Sequence, residues 1–388
     1  MAYFRNSTVN LLNLHYAIHS IAMYGGGAFY AVYLLKAGLS LPAVLASFAL
    51  IVGGRFVIRP VILPLAIRFG MRPLMIAGTL IAAIQYPLLA LVHGVGPMLV
   101  LLCLTSSLGD VFYWPNYHAY FSTLGDQEHR GHQISMREAL AAIVGIVAPI
   151  GTGWVLVTFG PLAAFGATAV VQALGAVPFF WTPDVAVARA APGAWKAAIP
   201  GVKLFIADGW IAAGFVVVWQ LTLFVSLGEN FVAYGGALAA AAVVGAIAGL
   251  LLGRHIDAGH GGRAVVIACV VCAAILTLRA VSPGHVALAV FANALGALSN
   301  CLYAPVLMTA VYNQSKRAPC TLRFHIATEG GWDAGMATGC LIAALLTWMG
   351  TPLSTTLLLP LLGVGAIALM LRGYYARNPV AIDAPEVL

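Results

Sequence analysis

The feature that most constrains this chain is a succession of long apolar runs, each bounded by glycine, proline or charge, from one end to the other. Twelve can be drawn, at residues 10–35, 41–67, 73–93, 97–121, 134–159, 161–182, 202–226, 232–253, 263–281, 285–312, 323–349 and 352–373. As helices, each is long enough to cross ~30 Å of hydrocarbon. No soluble domain could hide so much apolar surface. Of the 388 residues 62% are hydrophobic and 8% charged, and the charge is spread so thinly that no stretch could fold in water on a single anchor. The expected fold class is an all-α polytopic membrane protein of about 12 transmembrane helices. The run from Leu11 to Leu35 is too long for a signal peptide and lacks a convincing cleavage site, so it reads as the first span.

Orientation follows from the basic residues. With a cytoplasmic N-terminus, the inner side and its helix ends collect 15 of the 19, whereas the outer side takes Lys36 and Arg279, and Arg55 and Arg59 fall inside the second span. The positive-inside rule then places both termini in the cytoplasm, and the net charge of +7 reflects topology and anionic lipid, with no nucleic acid implied. The expected location is a bacterial inner membrane. The six cysteines lie mostly within apolar segments, where a thiol packs as a small hydrophobe; Cys269 and Cys272 form a C-x-x-C that reads as packing rather than a redox or metal site.

The only long polar connector runs from Pro183 to Pro200. It divides the chain into an N-terminal six-helix bundle (1–182), a cytoplasmic linker (183–201), a C-terminal six-helix bundle (202–377) and a disordered tail (378–388). A shift of 190 residues lays Leu108, Asp110, Tyr113 and Pro115 on Leu298, Asn300, Tyr303 and Pro305. The same shift aligns the segment around Arg68, Gly70 and Arg72 with Gly253 to Arg263. Parallel repeats of this kind place a binding site near the midplane, between halves that rock.

In these motifs the chain resembles the major facilitator superfamily of secondary transporters. Gly253, Asp257 and the basic Arg263 look like that family's loop signature, although the first copy carries Ile67 where the family usually has Asp. Gly145, Pro149, Gly151 and Gly153 are similar to part of a motif of the family's antiporters, with Ala148 in place of a usual Gly. The resemblance implies two bundles and alternating access.

Charged residues inside apolar runs are costly, so they mark function. Arg55 and Arg59 lie four apart in the second span, and Glu329 and Asp333 four apart in the eleventh, at similar depth. The spacing predicts a ladder between halves, Arg59 with Glu329 and Arg55 with Asp333. It would serve either as a gate released by protonation or as a static brace. Asp110, beside Tyr113, Trp114, Asn116 and His118, reads as the floor of the solute cavity, a proton site, or a protonated Asp bonded to a neighbouring helix. His15, His19 and Tyr24 in the first span, and Asp208, Trp210, Trp219 and Gln220 in the seventh, belong to helices that line the cavity in the family. Asn300 and Tyr303 join them from the tenth. His15 and His19 have helical metal-ligand spacing, but no carboxylate or thiol lies nearby in sequence, and hydrogen-bonded or titrating histidines are favoured over a metal site.

The leading function is a secondary active transporter of a small organic solute by alternating access, coupled to protons through Asp110, Glu329 or Asp333. Efflux by antiport and uptake of a metabolite or siderophore are both open. Its partners are the solute, protons and the lipid bilayer, and the chain is expected to act as a monomer. No nucleotide-binding motif and no cofactor motif occurs in the sequence. Two other classes, a transporter-like sensor and a membrane-embedded enzyme acting on lipid, lack supporting motifs.

Overall fold

The computed structural model describes residues 7–124, 130–256 and 261–378, with the side chains of 130–142, 250–256, 261 and 300 outside the description. Among the described residues there is no strand. The chain makes twelve helical passes: Ser7–Lys36, Leu41–Phe69, Met71–Ala90, Pro97–Leu124, Arg130–Thr158, Pro161–Trp181, Ala194–Ser226, Phe231–Ile256, Gly261–Val281, Val286–Arg317, Thr321–Trp348 and Leu353–Arg377. Below they are the first to twelfth helices. Ten are long and apolar enough to cross a membrane over their described residues. The fifth is apolar over Ile143–Thr158, and the eleventh carries Arg323, Glu329 and Asp333 within its length. Several passes are interrupted. The first tightens into a 3₁₀ turn at Gly26–Phe29, the second at Arg59–Val61 next to Pro60, and the seventh widens into a π-helix at Ala213–Val218.

The helices form two six-helix bundles, held by close backbone approach as much as by side-chain volume, as expected where lipid removes most of the hydrophobic drive for helix association. Leu12, Met75, Tyr117 and Phe179 are buried within the first bundle, and Leu204, Leu307 and Leu371 within the second. A third core containing Phe29, Leu34, Phe165, Phe224 and Tyr234 draws on both bundles. Many large apolar side chains, such as Val57, Leu362 and Leu369, point outward, a surface suited to lipid.

One expectation is corrected here. The seventh helix begins at Ala194 rather than 202, so the linker is shorter than the sequence suggested. Pro200 was read as a breaker, but it follows a helix-favouring run from Ala194 to Ile199 and sits inside the helix, where proline costs a hydrogen bond without ending the pass. Arg279, counted on the outer side, turns its side chain inward. It is only 4% exposed, because it falls two residues inside the end of the ninth helix and helical side chains lean toward their own N-terminus, here back into the bundle.

Candidate functional site

The four charges singled out in the second and eleventh helices come together, and Asp110 of the fourth helix joins them. Arg55 is 2.9 Å from Asp333 through Nε, 3.4 Å from Glu329 through Nη2 and 3.4 Å from Asp110 through Nη1. Arg59 donates to Asp333 Oδ2 through Nε at 3.1 Å and closes a second, tighter contact through Nη2. Asp333 is fully buried and both guanidiniums nearly so, whereas the Asp110 side chain is 30% exposed. Arg55 also stacks on Trp332, with Cζ 5.2 Å from the ring centre.

The predicted ladder is therefore half right. Arg55 meets Asp333 as expected, but Arg59 pairs with Asp333 rather than Glu329. The expectation assumed an uninterrupted α-helix, and regular α geometry stops at Ile58: Arg59 opens the 3₁₀ turn with Pro60, which moves it off the regular register. Glu329 turns to Arg55 and lies 3.8 Å from His118 Nε2. His118 continues the polar chain to Tyr312, whose hydroxyl is 3.1 Å from Nδ1, and stacks on His325, which contacts Ser315 at 3.0 Å. The cluster thus crosses between bundles twice, from the second helix to the eleventh and from the fourth to the tenth and eleventh.

A second polar group lies wholly in the first bundle. His15 Nδ1 is 2.6 Å from the Gly175 carbonyl, which fixes it as the donor nitrogen, and Nε2 is 2.8 Å from the Tyr113 hydroxyl. His19 Nδ1 faces Gln172 Oε1 at 3.0 Å, and its ring lies against Tyr113 and Trp114. The helical spacing of the two histidines serves neighbours on the fourth and sixth helices and does not converge on one point. His19 Nε2 is buried without a hydrogen-bond partner among the described residues. Asn116 is buried beside this group, its amide spent on the Phe112 carbonyl.

The remaining candidates scatter. Tyr303 donates to Asp208 at 2.8 Å, joining the tenth and seventh helices. Trp219 donates to Asn293 at 3.0 Å, away from the charge cluster. Gln220 is half-buried and Tyr24 exposed, while the side chain of Asn300 lies outside the described residues. In the loop motif, Asp257 lies outside the described residues and Arg263 is exposed. Around Arg68, Gly70 and Arg72 the missing acid is supplied from elsewhere. Asp184 of the linker accepts from the Arg72 backbone N–H at 3.1 Å and sits against Gly70, whose φ of +85° and lack of a Cβ leave it room. Arg72 also donates to the Thr182 carbonyl at 2.8 Å. Arg323 donates to the Ala188 and Arg189 carbonyls at 2.9 and 2.8 Å, binding the other end of the linker. No local sequence pattern announces Asp184, Gln172 or Tyr312, each more than 100 residues from its partner. Gly153 and Gly235 bring the fifth and eighth helices, one from each bundle, into backbone contact at Phe231 and Pro149.

The chain is similar in structure to a POT family transporter crystallised with a thioalcohol-conjugated peptide (TM-score 0.69, 11% identity, covering 95% of this chain and 96% of that one). It is also similar to the E. coli fucose:proton symporter FucP (0.63, 13%, 94% and 98%) and to a POT family transporter in complex with 5-aminolevulinic acid (0.63, 12%, 94% and 94%). Curated proteins give no match. At such identities the structural likeness speaks for the fold alone, but the sequence itself matches the Major Facilitator Superfamily over residues 12–312, well over half its length. The chain belongs to the Major Facilitator Superfamily of transporters.

Proposed function

We propose that the chain is a proton-coupled secondary transporter of a small organic solute, in which the buried charge cluster is the coupled gate between two rocking bundles. The reading places both termini in the cytoplasm of a bacterial cell, with a monomer as the working unit and the two bundles on either side of the linker that ends at Ala194. The observation that carries it is the charge count: three carboxylates, Asp110, Glu329 and Asp333, share two guanidiniums across the bundle interface. Two cations cannot fully compensate three carboxylates in a largely dry interior, which favours a proton held on one of the two buried carboxyls, Glu329 or Asp333, or on neighbouring His118, while Asp110 keeps partial access to water.

Asp110 and Arg55 belong to the same bundle. When the bundles part, Arg55 keeps Asp110 as its partner while Glu329 and Asp333 leave together on the eleventh helix, so separation is favoured when one of those two carries a proton. Proton uptake and opening are then linked, because each favours the other. His19 Nε2, enclosed here with the Tyr113 and Trp114 rings beside it, would supply a hydrogen-bonding group to a solute once the bundles move and open the site. Support by analogy comes from the neighbours, a fucose:proton symporter and transporters crystallised with a conjugated peptide or 5-aminolevulinic acid.

The test is reconstitution in liposomes holding a pH-sensitive dye, with small organic solutes added under an imposed pH gradient. A solute-dependent proton flux is expected, its sign distinguishing symport from antiport. Glu329→Gln should uncouple it while leaving solute exchange at equal pH. Proton-coupled flux unchanged in Glu329→Gln would make Glu329 part of a brace and remove it from the coupling path.

A further inference from the structure

Arg279 is a buried cation used neither by the charge cluster nor, unlike the equally buried Arg323, by the linker carbonyls. It is 4% exposed, and its Nε and Nη1 have no hydrogen-bond partner. Among the described residues no carboxylate forms an ion pair with it; Asp110, Glu329 and Asp333 are committed to Arg55 and Arg59, Glu229 to Lys36, Asp208 to Tyr303 and Asp184 to the Arg72 loop. Two aromatic rings take its place. Phe215 and Trp219 each lie 4.6 Å from Cζ, and both are held there by the seventh helix, Phe215 within the π-helical segment and Trp219 immediately after it. The Trp219 indole is fixed by its bond to Asn293. Across from them, Gly296 of the tenth helix lies so close to Nη2 that a Cβ there would overlap it. One turn further along the same face lies the buried Ser299 hydroxyl, against the Cys272 thiol of the ninth helix.

Aromatic faces stabilise a guanidinium, by about 2 kcal/mol when desolvated, but they satisfy none of its N–H donors. A buried cation with open donors still lacks a counter-charge. π-helical segments are rare and recur at functional sites, and here one aims a ring at this cation. We propose that Arg279, with the Ser299 hydroxyl nearby, binds a small monovalent anion, a halide or a carboxylate, at a site in the second bundle separate from the charge cluster. The anion accepts from the open Nε–H and Nη1–H donors, while Phe215 and Trp219 hold the guanidinium plane and Gly296, having no Cβ, lets Nη2 seat against the tenth helix. This site does not depend on the proton-coupling reading, since it requires neither transport nor movement of the bundles.

The test uses the full chain in detergent or nanodiscs at constant ionic strength, with bulky gluconate replaced stepwise by chloride, bromide or acetate. The expected result is a saturable rise in melting temperature of roughly 2–4 °C, lost in Arg279→Gln and reduced in Ser299→Ala. A rise with halides but not acetate identifies an inorganic ion as the occupant, and a rise with acetate identifies a carboxylate site. Should Arg279→Gln fail to fold, iodide quenching in the wild-type chain decides instead. A bound iodide beside the guanidinium would quench the Trp219 indole saturably, and that component should vanish in Trp219→Phe. An anion response equal in wild type and Arg279→Gln, or no anion-specific response and no saturable quenching in wild type, overturns the proposal and leaves Arg279 as an aromatic-clamped brace.

Discussion

Asp333 bears more of the charge cluster than any other residue: one oxygen faces Arg55, the other accepts from Arg59, and the side chain is fully buried. Removing its charge leaves two guanidiniums short of a partner in a low-dielectric interior, which costs about 3–5 kcal/mol for a buried pair broken on one side. Asp110 makes a single long contact and is partly exposed, so its loss should cost no more than about 1 kcal/mol. The melting temperature of Asp333→Asn should therefore fall well below that of Asp110→Asn, and equal losses would contradict the assigned geometry. These five charges were legible in the sequence because a charge inside an apolar run has no innocent reading. Their pairing was not, since it depends on a 3₁₀ turn at Arg59 and on how far a long side chain reaches. Asp184 shows the opposite case. It sits in a polar linker, where an acid attracts no notice, yet it completes the loop at Gly70 and Arg72 from more than 100 residues away.

At the scale of whole helices, the sequence identified where backbones could approach but not which approaches occur. Gly245, Gly249 and Gly253 repeat every four residues along the eighth helix and suggested a packing stripe. In the structure Gly245 packs against Ala297, while a Cβ on Gly249 would meet open space. The closer approach is between the seventh and eleventh helices, where a Cβ on Gly335 would collide with the Ile206 carbonyl. Spacing defines a face of a helix, and only the partner decides whether that face is packed. Gly335→Ala should therefore destabilise by about 1–3 kcal/mol through overpacking, with Gly249→Ala near neutral. Thermal unfolding of the two variants side by side checks this, and a neutral Gly335→Ala would mean that the helices can separate without loss. Twelve passes, two halves and their order were readable because membrane thickness sets helix length. The true start of the seventh helix was hidden because proline is a weaker stop signal inside a helix-favouring run than in isolation.

Across the whole molecule, the two bundles are joined at more than one level, and the strengths of those joints decide which is the latch. Lys36 and Glu229 form an ion pair between the first and second bundles at 3.1 Å, but both side chains are 42% exposed, and such pairs contribute only ~0.2–1 kcal/mol. Near them Tyr234 donates to the Ala28 carbonyl at 3.1 Å and packs on Phe29, a contact built mostly on shape. The Arg55, Arg59, Glu329 and Asp333 set is buried, charged and shared between the two bundles, so a change of one charge there moves the balance between conformations by more than removal of the exposed pair. Spin labels at exposed Arg68 and Lys203 report on one face, and labels replacing Lys36 and Glu229 report on the other. Neutralising Glu329 frees Arg55 to rest on Asp110 and removes one of the attractions that keep the eleventh helix against the second. With a shift of ~1.4 kcal/mol, a state populated at a tenth becomes comparable to its alternative. Glu329→Gln should therefore lengthen the Arg68–Lys203 distance distribution at neutral pH, as acidification does in the wild-type chain, while the distribution across the opposite face shortens or stays unchanged. If acidification moves the wild-type distances and Glu329→Gln does not, the proton that opens the interface rests on Asp333, Asp110 or His118 instead, and the same measurement on Asp110→Asn separates the carboxyl within the first bundle from the groups that leave with the eleventh helix.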